Sequence, residues 1–213
     1  MAFDGIVIAN LAKELNHKLA DGRITKIAQT ESDKLLLTIK KSISSPEQKT
    51  IRTQNRLVIS VNPSLPLLYL TQENQNAPLQ APTFCMVLRK HLNNCKINLI
   101  EQIGLERVLC MHLEHLNEMG DYCRKKLYIE LMGKHSNIIF TDDNNMIIDS
   151  IKHITSVMSS VRQVLPGKPY FIPDTMDKHN PMEATRESFM ETVFSNAMPV
   201  SKAIFTSYTG ISP

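Results

Sequence analysis

Two histidines and two cysteines lie close together in the sequence, and both residue types can bind metal ions. His112 and His115 are three residues apart, a spacing that on a helix would place both side chains on one face. The surrounding residues alternate between apolar and polar, which is typical of a strand, where side chains three apart point to opposite faces. Cys110 shares a strand face with His112, and Cys123 could approach from a neighbouring strand, but no fourth ligand has a suitable spacing. We therefore expect buried thiols and no metal site.

The motifs of nucleophilic and phosphate-transferring enzymes are also missing from the sequence. No G-x-S-x-G elbow is present, and Gly133-Lys134-His135-Ser136 lacks the upstream glycine of a P-loop. Only 7 glycines occur in the chain, too few to favour a glycine-rich cradle. We predict that the protein is not an enzyme and has no cofactor.

Basic residues are the remaining candidates for a binding site. They form three short clusters, namely Arg89-Lys90-His91, Arg124-Lys125-Lys126 and Lys134-His135. Such clusters bind phosphate groups only if the fold brings them together, and the alternative is a solvated strand edge.

Hydrophobic periodicity predicts two clear helices. Asp4 is a suitable N-cap for a helix with apolar residues at i, i+3 and i+4, and Asp21-Gly22 would end it. A second helix should follow Pro82, and a weaker helical pattern spans 189–197.

Alternating apolar and polar residues predict strands through most of the remaining chain. The alternating segments are 35–40, 57–61, 97–103, 109–114, 125–132, 137–141 and 146–151. Ser42 to Gln48 is predicted to be a loop, and 154–182, which contains four prolines, an irregular connection. Helices combined with consecutive strands indicate an α+β fold with an antiparallel sheet.

Composition describes an ordinary globular protein. The 213 residues are 42% hydrophobic, and 24 Lys and Arg against 21 Asp and Glu give a formal charge of +3, too small to indicate a partner. No apolar run approaches the roughly 18 residues that span a bilayer, and the first residues do not form a signal peptide. Four cysteines without a C-x-x-C pair are consistent with reduced thiols, so we expect a cytoplasmic location and no membrane partner.

Five parts of the sequence carry distinctive motifs. They are Phe3-Asp4-Gly5 with Gly22-Arg23-Ile24, the run from Phe84 to His91, Glu118 to Asp121, Glu130 to Ile139, and Val164 to Gly167. Together these segments resemble the NFACT family. The resemblance covers essentially the whole chain, and Gly-Lys-His-Ser-Asn-Ile-Ile at 133–139 is its most specific part.

The resemblance implies a fold and a domain organisation. Residues 1–180 would form an NFACT-N domain, an antiparallel β-sandwich with flanking helices similar to the N-terminal domain of formamidopyrimidine DNA glycosylases. Residues 181–213 would be a C-terminal helical extension leading toward the helix-hairpin-helix region of full-length members. We therefore expect the chain to be the first module of a longer protein.

The resemblance also implies a role in ribosome-associated quality control. Family members bind large ribosomal subunits obstructed by peptidyl-tRNA, contact tRNA and rRNA, and recruit alanyl-tRNA for untemplated alanine tailing of the stalled chain. Peptide-bond chemistry belongs to the ribosome, and no DNA partner is implied.

The family's tRNA-binding residues map onto two short segments of this sequence. An Asp-Arg pair falls on Glu106-Arg107, and a Glu-Ile-Met triplet falls on Glu130, Leu131 and Met132. An arginine can pair with phosphate or a guanine edge, and a carboxylate can accept from a base amine. Glu130 and Met132 should share a strand face and contact tRNA, with Leu131 in the core. The alternative for Glu106 and Arg107 is a cross-strand ion pair.

Two other functions remain open from the sequence. Family members have also been described as fibronectin-binding proteins, so a surface adhesin is the main alternative, although no export signal is recognisable. A base-excision glycosylase is the second, but position 2 is Ala2 rather than the proline whose amine those enzymes use.

Overall fold

Four helices and nine strands make up the described part of the protein. The computed structural model describes residues 3–45, 48–116, 119–173, 178–195 and 197–211. The helices are α1 (Gly5–Leu19), α2 (Thr83–Leu92), α3 (Arg186–Phe194) and α4 (Val200–Ser207). The strands are β1 (Arg23–Glu31), β2 (Lys34–Ser45), β3 (Gln48–Ser60), β4 (Leu67–Thr71), β5 (Lys96–Gln102), β6 (Val108–Leu116), β7 (Tyr122–Glu130), β8 (Asn137–Asp142) and β9 (Ile147–Ser150).

All nine strands belong to one antiparallel sheet with the order β4-β3-β2-β1-β5-β6-β7-β8-β9. Neighbours in this order are mostly neighbours in sequence, so the chain forms two meanders, β1 to β4 and β5 to β9. The meanders meet where β1 pairs with β5 through Arg23 and Lys96. The predicted antiparallel α+β fold is confirmed.

The two meanders share one hydrophobic core. A single buried cluster contains Leu37 and Ile59 from the first meander together with Met111 and Phe140 from the second. Helix α2 packs against both β1 and β9. The ammonium group of Lys152, just after β9, donates to the backbone oxygen of Val61, just after β3. The second meander therefore curves back toward the first, as in a sandwich, while remaining part of the same sheet.

Helix α1 forms where its sequence predicts it. The Asp4 side chain caps the helix by accepting a hydrogen bond of 2.8 Å from the backbone N–H of Val7. Its buried face consists of residues spaced three or four apart, namely Ile8, Ala12, Leu15 and Leu19. This face covers β5 and contributes to the main core.

The structure corrects several sequence expectations about the strands. Most of the loop predicted at Ser42 to Gln48 is instead a continuation of β2 and β3, which pair as far as Ser45 with Gln48. Backbone pairing extends this ribbon although its residues do not alternate clearly in polarity. Strands β1 and β4 were not predicted, because neither shows a sustained period of two over its whole length.

The region after β9 is irregular, as predicted, and is attached to the sheet by isolated contacts. Met146, directly before β9, bridges with Pro169, and the backbone of Ile147 in β9 is hydrogen-bonded to Gly167 and Lys168. Ile154 bridges with Val164 within the irregular region itself. Helix α3 corresponds to the weak helical pattern, whereas α4, which begins directly after Pro199, was missed. The domain boundary at residue 180 stays a prediction.

Among the described residues, no helix combines the length and the apolar character needed to cross a bilayer.

The side chain of His91 is titratable and lies against the main core. The ring of His91, near the end of α2, is 5.7 Å from that of Phe140. Burial lowers the pKa of His91 below its usual 6.5, and the nearby positive charges of Lys125, Lys90 and His115 lower it further. A protonated His91 is therefore less favourable in the folded than in the unfolded protein.

We predict that this histidine makes the fold less stable in mild acid. Because the unfolded chain binds the His91 proton more readily, the free energy of unfolding should fall as the pH drops below about 6.5. His91→Gln should remove part of that fall, measured by urea unfolding at pH 7 and pH 5. A His91 titration midpoint at or above 6.5, followed by NMR in the folded chain, would contradict this prediction.

Candidate nucleic-acid interface

The turn between β5 and β6 carries the first predicted pair, Glu106 and Arg107. The backbone N–H of Glu106 donates to the carbonyl of Ile103 at 3.0 Å, and the N–H of Ile103 donates to that of Val108 at 3.1 Å. Gly104 has a positive φ of 55°, which is readily adopted by glycine. The turn is thus closed by its own backbone hydrogen bonds.

Glu106 is held in place by segments from both ends of the chain. Its carboxylate accepts a hydrogen bond of 2.9 Å from the Thr209 hydroxyl. The Gln102 amide donates both to the carbonyl of Glu106, at 2.9 Å, and to that of Gly5, at 2.8 Å. These contacts fix the position of the turn relative to α1 and the residues after α4.

Close backbone packing completes this junction. The N–H of Gly5 donates to the carbonyl of Gly210. A Cβ atom on Gly5 would lie 2.4 Å from the carbonyl oxygen of Leu105, and one on Gly210 would lie 2.5 Å from the same atom. Only glycine fits at either position without movement of the backbone.

Arg107 is tied to the fold through its backbone. Its backbone carbonyl accepts a hydrogen bond of 2.9 Å from the N–H of Leu131, which joins the turn to the end of β7. The half-buried side chain forms no ion pair or hydrogen bond with any residue that the structure describes. The alternative of a Glu106 and Arg107 ion pair is not observed within the described ranges, since the two residues lie in a turn and not on facing strands.

Glu130 occupies a different environment from the one expected. Its side chain has 0% of its surface exposed, and its carboxylate accepts hydrogen bonds of 2.6 Å from the Arg162 guanidinium and 3.0 Å from the Tyr170 hydroxyl. The assignment of Glu130 as a tRNA contact stays a prediction, and in this structure the carboxylate faces Arg162 and Tyr170. Its charge is satisfied inside the protein, and it positions the end of β7.

The other two residues of the triplet behave as the strand pattern predicts. Leu131 is 1% exposed and belongs to the main core. Met132 is half-buried and packs against a second cluster that includes Tyr128 and Tyr170. Glu130 and Met132 therefore lie on one side of the chain and Leu131 on the other.

Burial and charge dominate the electrostatics around Glu130. Burial raises the pKa of Tyr170, and the adjacent Glu130 carboxylate raises it further. Burial disfavours the charge of Arg162, but the hydrogen bond and attraction to Glu130 outweigh this effect, so the pKa of Arg162 is raised. Tyr170 also stacks on Tyr128, with 4.0 Å between ring centroids.

Sequence reasoning missed Arg162 and Tyr170 as partners of this site. Both lie in the irregular region, where no periodicity indicates which side chains are buried. Arg162 lies just before the Val164 to Gly167 segment that carried part of the family resemblance, which was the one available signal.

Three side chains of the basic clusters are engaged in structural contacts, namely Arg89, Arg124 and Lys126. The Arg89 guanidinium donates to the carbonyl of Ile27 at 2.9 Å, and the Lys126 ammonium donates to the Asn145 side chain at 2.9 Å. Arg124 lies 3.5 Å from Glu114. Lys134 and His135, in contrast, are exposed in a 3-10 turn directly after Met132.

The cysteines and histidines considered as candidate metal ligands can be described by their burial and by their contacts within the protein. All four cysteines are free, and burial raises the pKa of Cys95 to about 11 and that of Cys110 to about 12. Such thiols are poor nucleophiles because the thiolate form is rare. His112 Nε2 lies 2.7 Å from Glu101 Oε1. No group of three or more metal-ligating side chains occurs within the described part of the chain.

We predict that the Glu130 and Arg162 pair is strongly coupled to folding. Glu130→Gln should lower the free energy of unfolding by about 3–5 kcal/mol, because it leaves a buried guanidinium without a counter-charge. The paired replacement Glu130→Leu with Arg162→Met should lose less than the two single changes together, as measured by urea unfolding.

The exposed pair of Glu14 and Lys18 is a matched control with the same 2.6 Å separation. Glu14→Gln should cost under about 1 kcal/mol, because water screens an exposed pair. Equal losses from Glu14→Gln and Glu130→Gln would show that burial does not determine the energetics of the Glu130 pair.

We also predict that Gly5→Ala destabilises the protein although alanine favours helices. Helix propensity would add about 1 kcal/mol of stability, but the clash with Leu105 should cost more, giving a net loss of about 1–3 kcal/mol. Gly104→Asn serves as the control, since nothing lies within 4 Å of a Cβ at that position and asparagine tolerates positive φ. A Gly5→Ala protein as stable as the original would contradict the close packing.

Comparisons with known proteins identify the family of this chain. A family model described as NFACT N-terminal and middle domains matches residues 4–213. The chain is 38% identical over 214 residues to the protein named Rqc2 homolog RqcH from Bacillus subtilis, covering 100% of this chain and 36% of that protein. The chain thus spans about a third of the length of that relative.

Two solved structures have the same fold. The N-terminal domain of fibronectin-binding protein PavA from Streptococcus pneumoniae has a TM-score of 0.83 and 33% identity, covering 99% of this chain and 76% of that one. The N-terminal part of the fibronectin/fibrinogen-binding protein from Streptococcus suis has a TM-score of 0.84 and 31% identity, with coverage of 99% and 76%. Because the family model covers nearly the whole chain, the protein belongs to the NFACT family.

Proposed function

We propose that this chain is the tRNA-binding part of a non-enzymatic factor in ribosome-associated quality control. The intact factor would act in the cytoplasm on large ribosomal subunits obstructed by peptidyl-tRNA, and would recruit alanyl-tRNA for alanine tailing. Family membership supports the class of protein. The observation that carries tRNA binding is the Arg107 guanidinium, which is held on an anchored turn and makes no side-chain hydrogen bond or ion pair with a described residue.

Arg107 has the chemistry to recognise an exposed nucleotide. Its planar guanidinium can donate two parallel hydrogen bonds to a phosphate or to a guanine edge, and it can stack on an unpaired base. The backbone carbonyl of Arg107 is hydrogen-bonded to the N–H of Leu131, and Met132 is the next residue in the chain. A half-buried thioether offers an apolar surface against which a base could pack.

Glu106 and Glu130 would support this contact in different ways. Glu106 lies beside Arg107 and is held by Thr209, so its negative charge limits non-specific attraction of phosphates and favours a base amine. Glu130 acts from within the protein. Through Arg162 and Tyr170 it fixes the strand end from which Leu131 and Met132 continue.

The decisive variant is Arg107→Ala in the 213-residue chain. Affinity for fluorescently labelled tRNA, measured by anisotropy, should fall by about 5- to 150-fold, since a bidentate arginine contact is worth about 1–3 kcal/mol. Circular dichroism and urea unfolding should be unchanged, because the lost side chain makes no intramolecular hydrogen bond among the described residues. The exposed Arg52 on β3 provides a matched control, and Arg52→Ala should bind tRNA normally.

Equal tRNA affinity of Arg107→Ala and the unsubstituted chain would overturn this assignment. Glu106→Gln removes the negative charge of this side chain but keeps its length, and the glutamine oxygen can still accept the hydrogen bond from the Thr209 hydroxyl. A changed preference among tRNAs with retained stability is the expected result for that variant.

Binding to fibronectin is the second candidate function. It is favoured by two similar solved structures, which are those of a fibronectin-binding and a fibronectin/fibrinogen-binding protein. Saturable binding of the purified chain to immobilised fibronectin, without binding to tRNA, would support this function over the first.

A further inference from the structure

A basic pocket lies beside the candidate tRNA-binding residues. It has a volume of about 380 Å³ and is formed by the turn after Met132 and the irregular segment after β9. Four of its nine lining residues are basic, and none of the nine carries a carboxylate; the basic residues are Lys134, His135, Lys152 and Arg162. A water molecule occupies roughly 30 Å³ in the liquid, so a phosphate group fits together with several waters.

The basic groups of the pocket differ in whether a protein carboxylate neutralises their charge. Arg162 is neutralised by Glu130, and its second guanidinium nitrogen donates to the carbonyl of Phe171 at 2.8 Å. Lys152 donates to the carbonyls of Ser136, at 3.0 Å, and Val61, which accept hydrogen bonds but do not cancel its charge. Burial lowers the pKa of Lys152, which is the expected cost of a cation held without a bonded carboxylate.

Lys134 and His135 are the accessible groups at this pocket. Both are exposed, and neither side chain forms a hydrogen bond or ion pair with another described residue. Lys134 is thus a solvated cation that lines the same pocket as the half-buried Lys152. Two lysines on one pocket without a lining carboxylate form a site for an anion.

Two serines supply uncharged donors. The hydroxyl oxygen of Ser136 is buried and has no hydrogen-bond partner among the described residues, although most buried polar atoms have one. The Ser159 hydroxyl oxygen accepts from the backbone N–H groups of Val161 and Arg162, at 3.2 and 3.4 Å, which leaves its hydrogen able to donate. Hydroxyl donors of this kind commonly contact phosphate oxygens.

We propose that this pocket binds a backbone phosphate of the same RNA that Arg107 contacts. The proposal rests on the proposed function. Lys134 follows Leu131 by three residues, so their Cα atoms are at most roughly 11 Å apart, and the N–H of Leu131 is bonded to Arg107. That separation corresponds to a few nucleotide steps along a strand. Arg107 would read a nucleotide while the pocket fixes the position of the strand, which matches the usual division between base and phosphate contacts.

The test combines a small anion with RNA. In the 213-residue chain, titration with inorganic phosphate should give saturable NMR shifts at the amides of Lys134, His135, Ser136 and Ser159. Lys134→Gln should abolish most of these shifts. Lys13→Gln, which removes an exposed lysine from α1, should not.

The second arm measures the salt dependence of tRNA binding. Lys134→Gln should weaken binding several-fold at low salt for every tRNA tested, and should reduce the slope of log K against log salt by about 1. Lys13→Gln should leave that slope unchanged. Unfolding curves that match the curve of the unsubstituted chain would establish that both variants are folded. Any difference in tRNA binding then comes from the lost charge.

The outcomes separate this proposal from the proposed function. Phosphate shifts that are absent, or that persist in Lys134→Gln, would overturn the pocket as an anion site. Phosphate binding with an unchanged tRNA salt slope would overturn RNA as its occupant. If Lys134→Gln removes the phosphate shifts while Arg107→Ala binds tRNA normally, the anion site stands and the assignment of Arg107 falls.

Discussion

The carboxylate of Glu130 has no exposed surface, and the region after β9 is arranged around its charge. An isolated carboxylate could not be buried at the end of β7 without a large desolvation cost. Arg162 supplies the opposite charge, and the Tyr170 hydroxyl supplies a second hydrogen bond. Because Arg162 and Tyr170 both belong to a segment without regular secondary structure, the ion pair and the stacking on Tyr128 give that segment a defined position.

This constraint extends to the surface where nucleic acid is proposed to bind. The end of β7 leads through Leu131 and Met132 into the turn that carries Lys134, while Arg162 also lines the basic pocket. The pair of Glu130 and Arg162 therefore fixes the end of β7 on one side and part of the basic pocket on the other. Within the protein, Glu130 links the end of β7 to Arg162 and Tyr170, and it is also one of the residues predicted from the family resemblance to contact tRNA.

The β5–β6 turn depends on a second constraint, the close packing of backbone at Gly5, Leu105 and Gly210. Three segments that are remote in sequence meet there, and Gln102 and Thr209 connect them to Glu106. The Phe3-Asp4-Gly5 segment thus has two separable functions. Asp4 caps α1, which is a local role, and Gly5 admits the turn that presents Arg107, which is a tertiary one.

The sequence by itself determined α1, α2 and most strands, since apolar spacing reports which face of an element is buried. It also identified the family and placed Leu131 opposite Glu130 and Met132. Only the tertiary structure decided that Glu130 is buried, that Arg107 makes no side-chain hydrogen bond or ion pair with a described residue, and that Lys134 and Lys152 line one pocket. The reason is that periodicity is a local property, whereas the environment of a charge depends on its partners. For Glu130 the partner is Arg162, 32 residues further along the chain.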